Sequence, residues 1–94
     1  MTENELYAKV KTYAIDHGWL PFHLPQNRTV RPVKDAIGYP DLTLARDGQV
    51  IFMELKTEGG KLSQAQMRWR LELPAYYVIR PSDWEIGLVA ELLS

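Results

Sequence analysis

The sequence contains no cysteine, which excludes a disulfide-stapled scaffold and a thiolate zinc site and suits a reducing cytoplasm. It also lacks any apolar run near the ~18 residues that a membrane span needs, so we expect no membrane partner. The opening stretch MTENELYAKV is too acidic and too polar for a signal peptide. Together these absences predict a cytoplasmic protein.

A strong positive charge is missing as well. The formal net charge is −1, so the chain lacks the bulk charge of many DNA-binding proteins, and any nucleic-acid contact must come from local clusters. Hydrophobic residues make up 46% of the chain, which is ordinary for a folded protein and too rich for a disordered one. The length of 94 residues predicts a single domain over residues 1–94.

Local patterns predict an α/β fold. Thr2 with Glu5, and Ser63 with Gln66, have the spacing of capping boxes at helix starts, and Asp47-Gly48 is a dipeptide favoured in tight hairpin turns. In the first half of the chain, the predicted elements are a helix over 3–16, a strand over 19–24 and a long loop over 25–38. Two paired strands follow over 41–46 and 49–56. The remaining predicted elements are a helix that Ser63 caps and that runs to about residue 73, a strand over 76–80 and a C-terminal helix over 81–93. This α-β-β-β-α-β-α order predicts a central mixed β-sheet flanked by helices.

The predicted hairpin places two carboxylates opposite each other. With Asp47 and Gly48 at the centre of the turn, Asp41 faces Glu54 across the two strands. Side chains paired in this way lie about 4.5–5.5 Å apart at Cβ on one face, where like charges destabilise the strand pair. A shared cation would relieve that repulsion, and two carboxylates suit Mg²⁺ or Mn²⁺, which prefer oxygen ligands.

Lys56 lies two residues beyond Glu54 and is therefore expected on the same face of the strand. An ammonium there could hold a water or stabilise charge that grows on a phosphate. With a metal that activates water and polarises a phosphoryl oxygen, the three side chains would supply what phosphodiester hydrolysis needs. The alternative is a solvated strand face whose charges have no catalytic role.

Two further residues have both a functional and a structural interpretation. Glu3 lies on the helical stripe of Leu6 and Val10, whereas Glu5 lies on the polar stripe, so Glu3 is the better candidate for a third metal ligand. Glu3 could equally serve as a helix-dipole partner. Gln66 could contact the phosphate or a water on the metal, or could act only as a capping-box residue.

Two clusters of basic residues are candidates for nucleic-acid contact. The cluster in the long loop ahead of the acidic pair could clamp phosphate, and consists of Arg28, Arg31 and Lys34. The second cluster surrounds the helix that Ser63 begins, where free N–H groups could also receive an anion, and consists of Lys56, Lys61, Arg68 and Arg70. Both clusters could instead be solvated surface charge. His17 and His23 are predicted to be structural, and Trp69 to belong to the core.

Three ordered motifs resemble the PD-(D/E)xK nuclease superfamily and, within it, the VRR-NUC family of virus-type replication-repair nucleases. They are Gly38-Tyr-Pro-Asp41, Glu54-Leu-Lys56 and Ser63-Gln-Ala-Gln66, and the closing segment Arg80-Pro-Ser-Asp-Trp84 is similar too. The resemblance runs from residue 3 to residue 84 and implies the restriction-endonuclease-like fold. The chain departs from relatives in a second helix cut short by Pro74 and in a long insertion over 26–37.

The resemblance implies a nuclease that uses Mg²⁺ or Mn²⁺ to hydrolyse DNA phosphodiester bonds. It further implies selectivity for branched or junction DNA, in replication or repair in a bacterium or a phage-infected host. By its motifs the metal ligands are Asp41, Glu54, the backbone carbonyl of Leu55 and Glu3. Lys56 and Gln66 complete the implied catalytic set of Asp41, Glu54, Lys56 and Gln66.

The implied partners are DNA, a second copy of the chain and, by likeness to helicase-linked relatives, a helicase or replication protein. A chain this short has little surface for both catalysis and substrate selection, which also favours a homodimer. The predicted contact is the apolar side of the C-terminal helix, formed by Ile86, Leu88, Val89, Leu92 and Leu93. Two other functions stay open: an inactive nuclease-like module that binds DNA or a partner, and a restriction-type endonuclease.

Overall fold

A computed structural model describes residues 1–24 and 34–94. Its elements are α1 (Glu3–Asp16), β1 (Leu20–Phe22), a 3-10 turn (Lys34–Ala36), β2 (Leu42–Arg46), β3 (Gln49–Leu55), α2 (Gln64–Glu72), β4 (Tyr76–Ile79), α3 (Pro81–Glu85) and α4 (Leu88–Leu93). The predicted mixed α/β class is confirmed. The four strands form one sheet in the order β1-β2-β3-β4, in which β3 and β4 are parallel and the other neighbours are antiparallel.

Helix α1 begins as the sequence predicts. The Thr2 hydroxyl accepts a hydrogen bond from the backbone N–H of Glu5 at 3.1 Å, and the Thr2 N–H donates to the Glu5 carboxylate at 3.2 Å. Leu6, Val10 and Ala14 recur every four residues, so they share one face, and all three are fully buried. None of the helices in the described part of the chain is long and apolar enough to cross a membrane.

The β2–β3 hairpin has the predicted register. Arg46 pairs with Gln49, and the residues before and after them pair in step. Asp47 and Gly48 have positive φ angles of 50° and 80°. A two-residue turn of this hand requires such angles, which is why Asp-Gly marks it in the sequence.

The ladder between β2 and β3 stops one residue short of the prediction. Leu42 is the first paired residue of β2, and Asp41 lies in the bend before it, so the predicted backbone pairing of Asp41 with Glu54 is wrong. An Asp41 carboxylate oxygen instead accepts a hydrogen bond from the backbone N–H of Leu55 at 2.8 Å. The side chain thus takes up a backbone donor at the point where strand pairing ends.

The two faces of the sheet differ. One face is buried against α1 and the C-terminal helices, and the core residues are Leu6, Val10, Ala14, Trp19, Leu42, Leu44, Met53, Leu55, Ile79, Val89 and Leu93. On the opposite face the register aligns Leu20 with Val50, and Phe22 with Phe52, through β2. Glu54 follows Phe52 on this second face. Leu20, Phe22 and Val50 are 72%, 54% and 43% exposed, so this face is open at the β1 edge.

The single C-terminal helix predicted over 81–93 is wrong. Gly87 has a φ of +84°, a left-handed conformation that favours glycine, and it separates α3 from α4. Val89 and Leu93 are fully buried in the core, and Leu88 and Leu92 pack against it. Most of the apolar stripe predicted as a dimer contact is therefore internal, although Ile86 is 78% exposed.

Candidate functional site

Asp41 and Glu54 meet where the hairpin ends. Among the described residues, Glu54 is the one charged side chain that is buried, with 1% of its surface exposed. The Glu54 carboxyl lies within hydrogen-bonding reach of the Asp41 carboxyl, and an oxygen of Asp41 accepts a hydrogen bond from the Leu55 N–H at 2.8 Å. The structure therefore brings together the two carboxylates that the hairpin register predicted as neighbours.

This arrangement makes the Glu54 carboxyl a weak acid. Burial raises the pKa of Glu54 to about 9, with further contributions from the hydrogen bond with Asp41 and from that residue's negative charge. The charge of Lys56 acts in the opposite direction, and the charge of Glu3 raises the pKa slightly. Without a cation, the Glu54 carboxyl is therefore expected to be protonated at neutral pH.

Lys56 is held in place through its backbone and through the turn that follows it. Its N–H donates to the carbonyl of Ile79 at 3.0 Å, which joins the end of β3 to the end of β4. One guanidinium nitrogen of Arg80 stabilises this turn by donating hydrogen bonds to three carbonyls: Thr57 at 2.6 Å, Glu58 at 3.1 Å and Gly60 at 2.8 Å. Arg80 is thus a positioning residue for the lysine segment.

A cavity of about 180 Å³ opens beside Asp41. It brings Glu3 and Asp41 to the same small space, although 38 positions separate them in the sequence. Its lining residues are Glu3, Asn4, Tyr7, His23, Asp41 and Leu55. This cavity is therefore lined by three of the four predicted metal ligands, Glu3, Asp41 and Leu55. The fourth, Glu54, lies beside Asp41.

Two tyrosine hydroxyls near this region are buried without a hydrogen-bond partner in the described residues, on Tyr7 and Tyr76. Tyr7 lines the cavity, and its ring lies 5.3 Å from the His23 ring. Burial and the nearby charge of Glu54 raise the pKa of Tyr76 to about 12.

The donor set fits a hard divalent cation. Asp41 and Glu54 offer carboxylate oxygens and Leu55 a carbonyl oxygen, and Mg²⁺ typically takes one or two carboxylates and keeps several waters. A cation would also displace the proton expected on the Glu54 carboxyl. Among residues 1–24 and 34–94, no three His, Cys, Asp or Glu side chains are clustered closely enough to form a complete metal site. The carboxylate pair would therefore need the carbonyl and water as further ligands.

Ser63 and Gln66 form the capping box that the sequence predicts. The Gln66 side-chain oxygen accepts from the Ser63 N–H at 2.8 Å, and the Ser63 hydroxyl accepts from the Gln66 N–H at 3.1 Å. These two bonds cap α2, and they occupy the Gln66 oxygen. A contact from Gln66 to substrate stays a prediction that would use its amide nitrogen. Lys61 is exposed just before this cap.

The two predicted basic clusters share one groove. Lys34, from the first cluster, and Arg68, from the second, line the same depression between the 3-10 turn and α2. Gly38 makes that close approach possible, because a Cβ built there would lie 2.5 Å from the backbone carbon of Ala65. Arg28 and Arg31 lie outside the described residues.

Sequence reasoning missed several residues around the site. Tyr7 was not singled out, and His23 was considered only as a structural residue, yet both line the cavity. A helical position one turn after Glu3 could have suggested Tyr7. Arg80 was noted only as part of a motif, and nothing in its local sequence shows that it holds the turn after Lys56. Compared with models of known protein families, with curated proteins and with solved structures, the chain gives no significant match.

Proposed function

We propose that the chain is a divalent-metal-dependent nuclease that hydrolyses DNA phosphodiester bonds. The observation that supports it best is the buried Glu54 carboxyl beside the half-buried Asp41 carboxyl, with the charge of Lys56 nearby. Burying a carboxyl group beside a second carboxyl is unfavourable, and carboxyls with strongly shifted pKa values cluster at sites where a cation or a reaction uses them. The motifs of the VRR-NUC family support the same proposal, including a structure-selective role in phage or bacterial replication or repair in the cytoplasm.

The residues divide the proposed work among them. Asp41, Glu54 and the Leu55 carbonyl would hold Mg²⁺ or Mn²⁺, and Glu3 on the cavity wall would contact water on the ion. When bound, the ion supplies Lewis-acid chemistry to the phosphoryl group and makes water more acidic. Lys56 would orient the attacking water and stabilise the negative charge that develops on the phosphate. Arg80 keeps the lysine segment in position through the three carbonyls of the following turn.

The test is a cleavage assay on purified protein with Mg²⁺ or Mn²⁺. The substrates are labelled single-stranded, duplex, flap and four-way junction DNA of matched sequence, with EDTA as the metal control. We expect cleavage that depends on the cation and is fastest on a branched substrate. Cleavage at one defined duplex sequence would favour the restriction-type alternative, and no cleavage of any substrate would refute the nuclease proposal.

A nuclease-like module that binds DNA or a partner without cutting is the second candidate. The observation that favours it is the absence, in the described part of the chain, of a complete cluster of three metal-ligating side chains. Titration calorimetry separates the two functions before any substrate is chosen. Binding of Mn²⁺ that Asp41→Asn abolishes supports the nuclease, whereas absence of divalent binding supports the module.

The proposed nuclease would act as a homodimer, with a helicase or replication protein as a further partner. Because the stripe on α4 is mostly internal, we assign the dimer contact to the open sheet face at β1, where Leu20 and Phe22 are largely exposed. We expect a dimer in sedimentation at micromolar concentration and a shift toward monomer in the double variant Leu20→Lys/Phe22→Lys. Ile15→Lys, at an exposed apolar residue on α1, is the control. A monomeric parent protein would contradict this assignment.

A further inference from the structure

The groove between the 3-10 turn and α2 has the size of a site for a small ligand. Its volume is about 510 Å³, within the ~300–1,000 Å³ of typical small-ligand sites. That is space for a nucleotide, whereas a base-paired duplex could not enter it. The residues that matter are Lys34, Asp35, Ile37, Arg68, Trp69 and Glu72.

The walls of the groove are linked by specific contacts. The Trp69 indole N–H donates to the Ile37 carbonyl at 3.0 Å, which joins α2 to the segment after the 3-10 turn. Tyr39 contacts the Trp69 ring edge-to-face at 5.0 Å, and its hydroxyl lies 2.9 Å from the Thr43 hydroxyl on β2. Only Pro40 separates Tyr39 from Asp41. The groove is therefore tied to the same segment that carries the candidate metal ligand.

The charges in the groove distinguish a nucleotide from a plain stretch of DNA backbone. Lys34 and Arg68 place one cation on each wall, as a phosphate would require. Asp35 and Glu72 add two carboxylates, which would repel phosphate but can accept hydrogen bonds from the exocyclic amino groups of bases. A groove that served only as a backbone clamp would gain nothing from these carboxylates.

Trp69 supplies the third element of base recognition. The prediction that Trp69 belongs to the core is wrong, because its half-buried ring lines the groove together with Lys34 and Arg68. Aromatic side chains are the usual surfaces on which unpaired bases stack. Cations, carboxylate acceptors and an aromatic ring thus converge in one space. We infer that this groove binds an unpaired nucleotide of the DNA substrate, through its phosphate and its amino-bearing base.

This inference rests on the proposed nuclease function, because it assigns part of that enzyme's substrate. It makes unpaired DNA, such as a flap or a junction arm, the preferred ligand. Thymine lacks an exocyclic amino group, so the same geometry predicts weaker binding of thymine-only strands than of cytosine-only strands.

The test measures binding without cleavage, by anisotropy of labelled DNA in EDTA and again with Ca²⁺. We expect single-stranded oligo(dC) to bind at least threefold more tightly than oligo(dT) and than duplex DNA of the same length. Lys34→Ala and Arg68→Ala should each weaken oligo(dC) binding about tenfold. Lys9→Ala, which removes the same charge from an exposed position on α1, should change it less than twofold.

Two further measurements distinguish recognition of the base from binding by charge alone. The double variant Asp35→Ala/Glu72→Ala should bring the affinities for oligo(dC) and oligo(dT) to within twofold of each other. Oligo(dC) should quench tryptophan fluorescence in the parent and not in Trp69→Phe. Equal binding of single strands and duplex, or losses in the groove variants no larger than in Lys9→Ala, would overturn the inference. Cleavage that persists in that case leaves the nuclease proposal intact, whereas groove binding without cleavage refutes the nuclease alone.

Discussion

Replacing Lys56 by alanine is expected to slow DNA cleavage by about 10²–10³-fold, the usual effect of removing one group that stabilises transition-state charge. The ammonium of this residue favours the ionised form of Glu54, and its backbone is fixed by Ile79. The loss should appear in the rate at saturating DNA, since the lysine is proposed to act on the developing charge and not on substrate binding.

Lys9→Ala is the matched control for this prediction, because it removes the same charge from an exposed residue on α1. It should leave the saturated rate within about threefold of the parent. Calorimetry with Mn²⁺ should show that Lys56→Ala still binds the ion, with somewhat lower affinity near pH 7 because the lysine charge helps Glu54 to ionise. If the Lys56→Ala protein cuts DNA as fast as the parent, the proposed catalytic role of this lysine is wrong.

How far the sequence predicts this site depends on the range over which each residue acts. The Asp-Gly turn and the two-residue period of strands are local, so the register of β2 and β3 could be predicted to the residue. The meeting of Asp41 with Glu54 follows from that register. The way they meet does not, because the Asp41 side chain replaces a strand hydrogen bond by accepting from Leu55.

Features that depend on long-range contacts could not be predicted from the sequence, and the physical reason is the same for each of them. The apolar stripe on α4 has the same spacing whether it packs in the core or against another chain, and only the tertiary structure assigns Val89 and Leu93 to the interior. Likewise, Arg80 stabilises the turn after Lys56 from at least 20 positions away. The sharing of one groove by Lys34 and Arg68 depends on Gly38, whose lack of a side chain lets two segments touch.

The metal-free protein is expected to lose stability as the pH rises from about 5 to about 9, by an amount that Glu54 controls. In the unfolded chain this carboxyl has its ordinary pKa of 4.5, whereas in the folded chain burial and Asp41 raise the pKa to about 9. Below pH 4.5 the group is protonated in both states, and its contribution to stability is fully present. Between the two values unfolding releases a proton, so each pH unit lowers the free energy of unfolding by up to ~1.4 kcal/mol.

Glu54→Gln isolates this effect, because its amide can donate to Asp41 as the protonated carboxyl does and cannot ionise. In EDTA the variant should match the parent near pH 4.5 and exceed its free energy of unfolding by on the order of 3 kcal/mol at pH 7. Urea unfolding at pH 5, 7 and 9 measures the difference. Glu91→Gln, at an exposed position on α4, is the control for removing a carboxylate and should follow the parent.

Divalent cations should reverse the trend in the parent and not in Glu54→Gln. Because a cation must displace the proton from the Glu54 carboxyl, its apparent affinity should rise about tenfold per pH unit up to about pH 9, with release of about one proton per ion near pH 7. Titration in two buffers of different ionisation enthalpy measures that release. The proposal is contradicted if the stability of the parent protein does not depend on Glu54, or if its cation affinity does not change from pH 6 to pH 8. Either result would show that Glu54 and Asp41 do not form a metal site at which a cation displaces a proton. It would leave the carboxylates with a structural role alone.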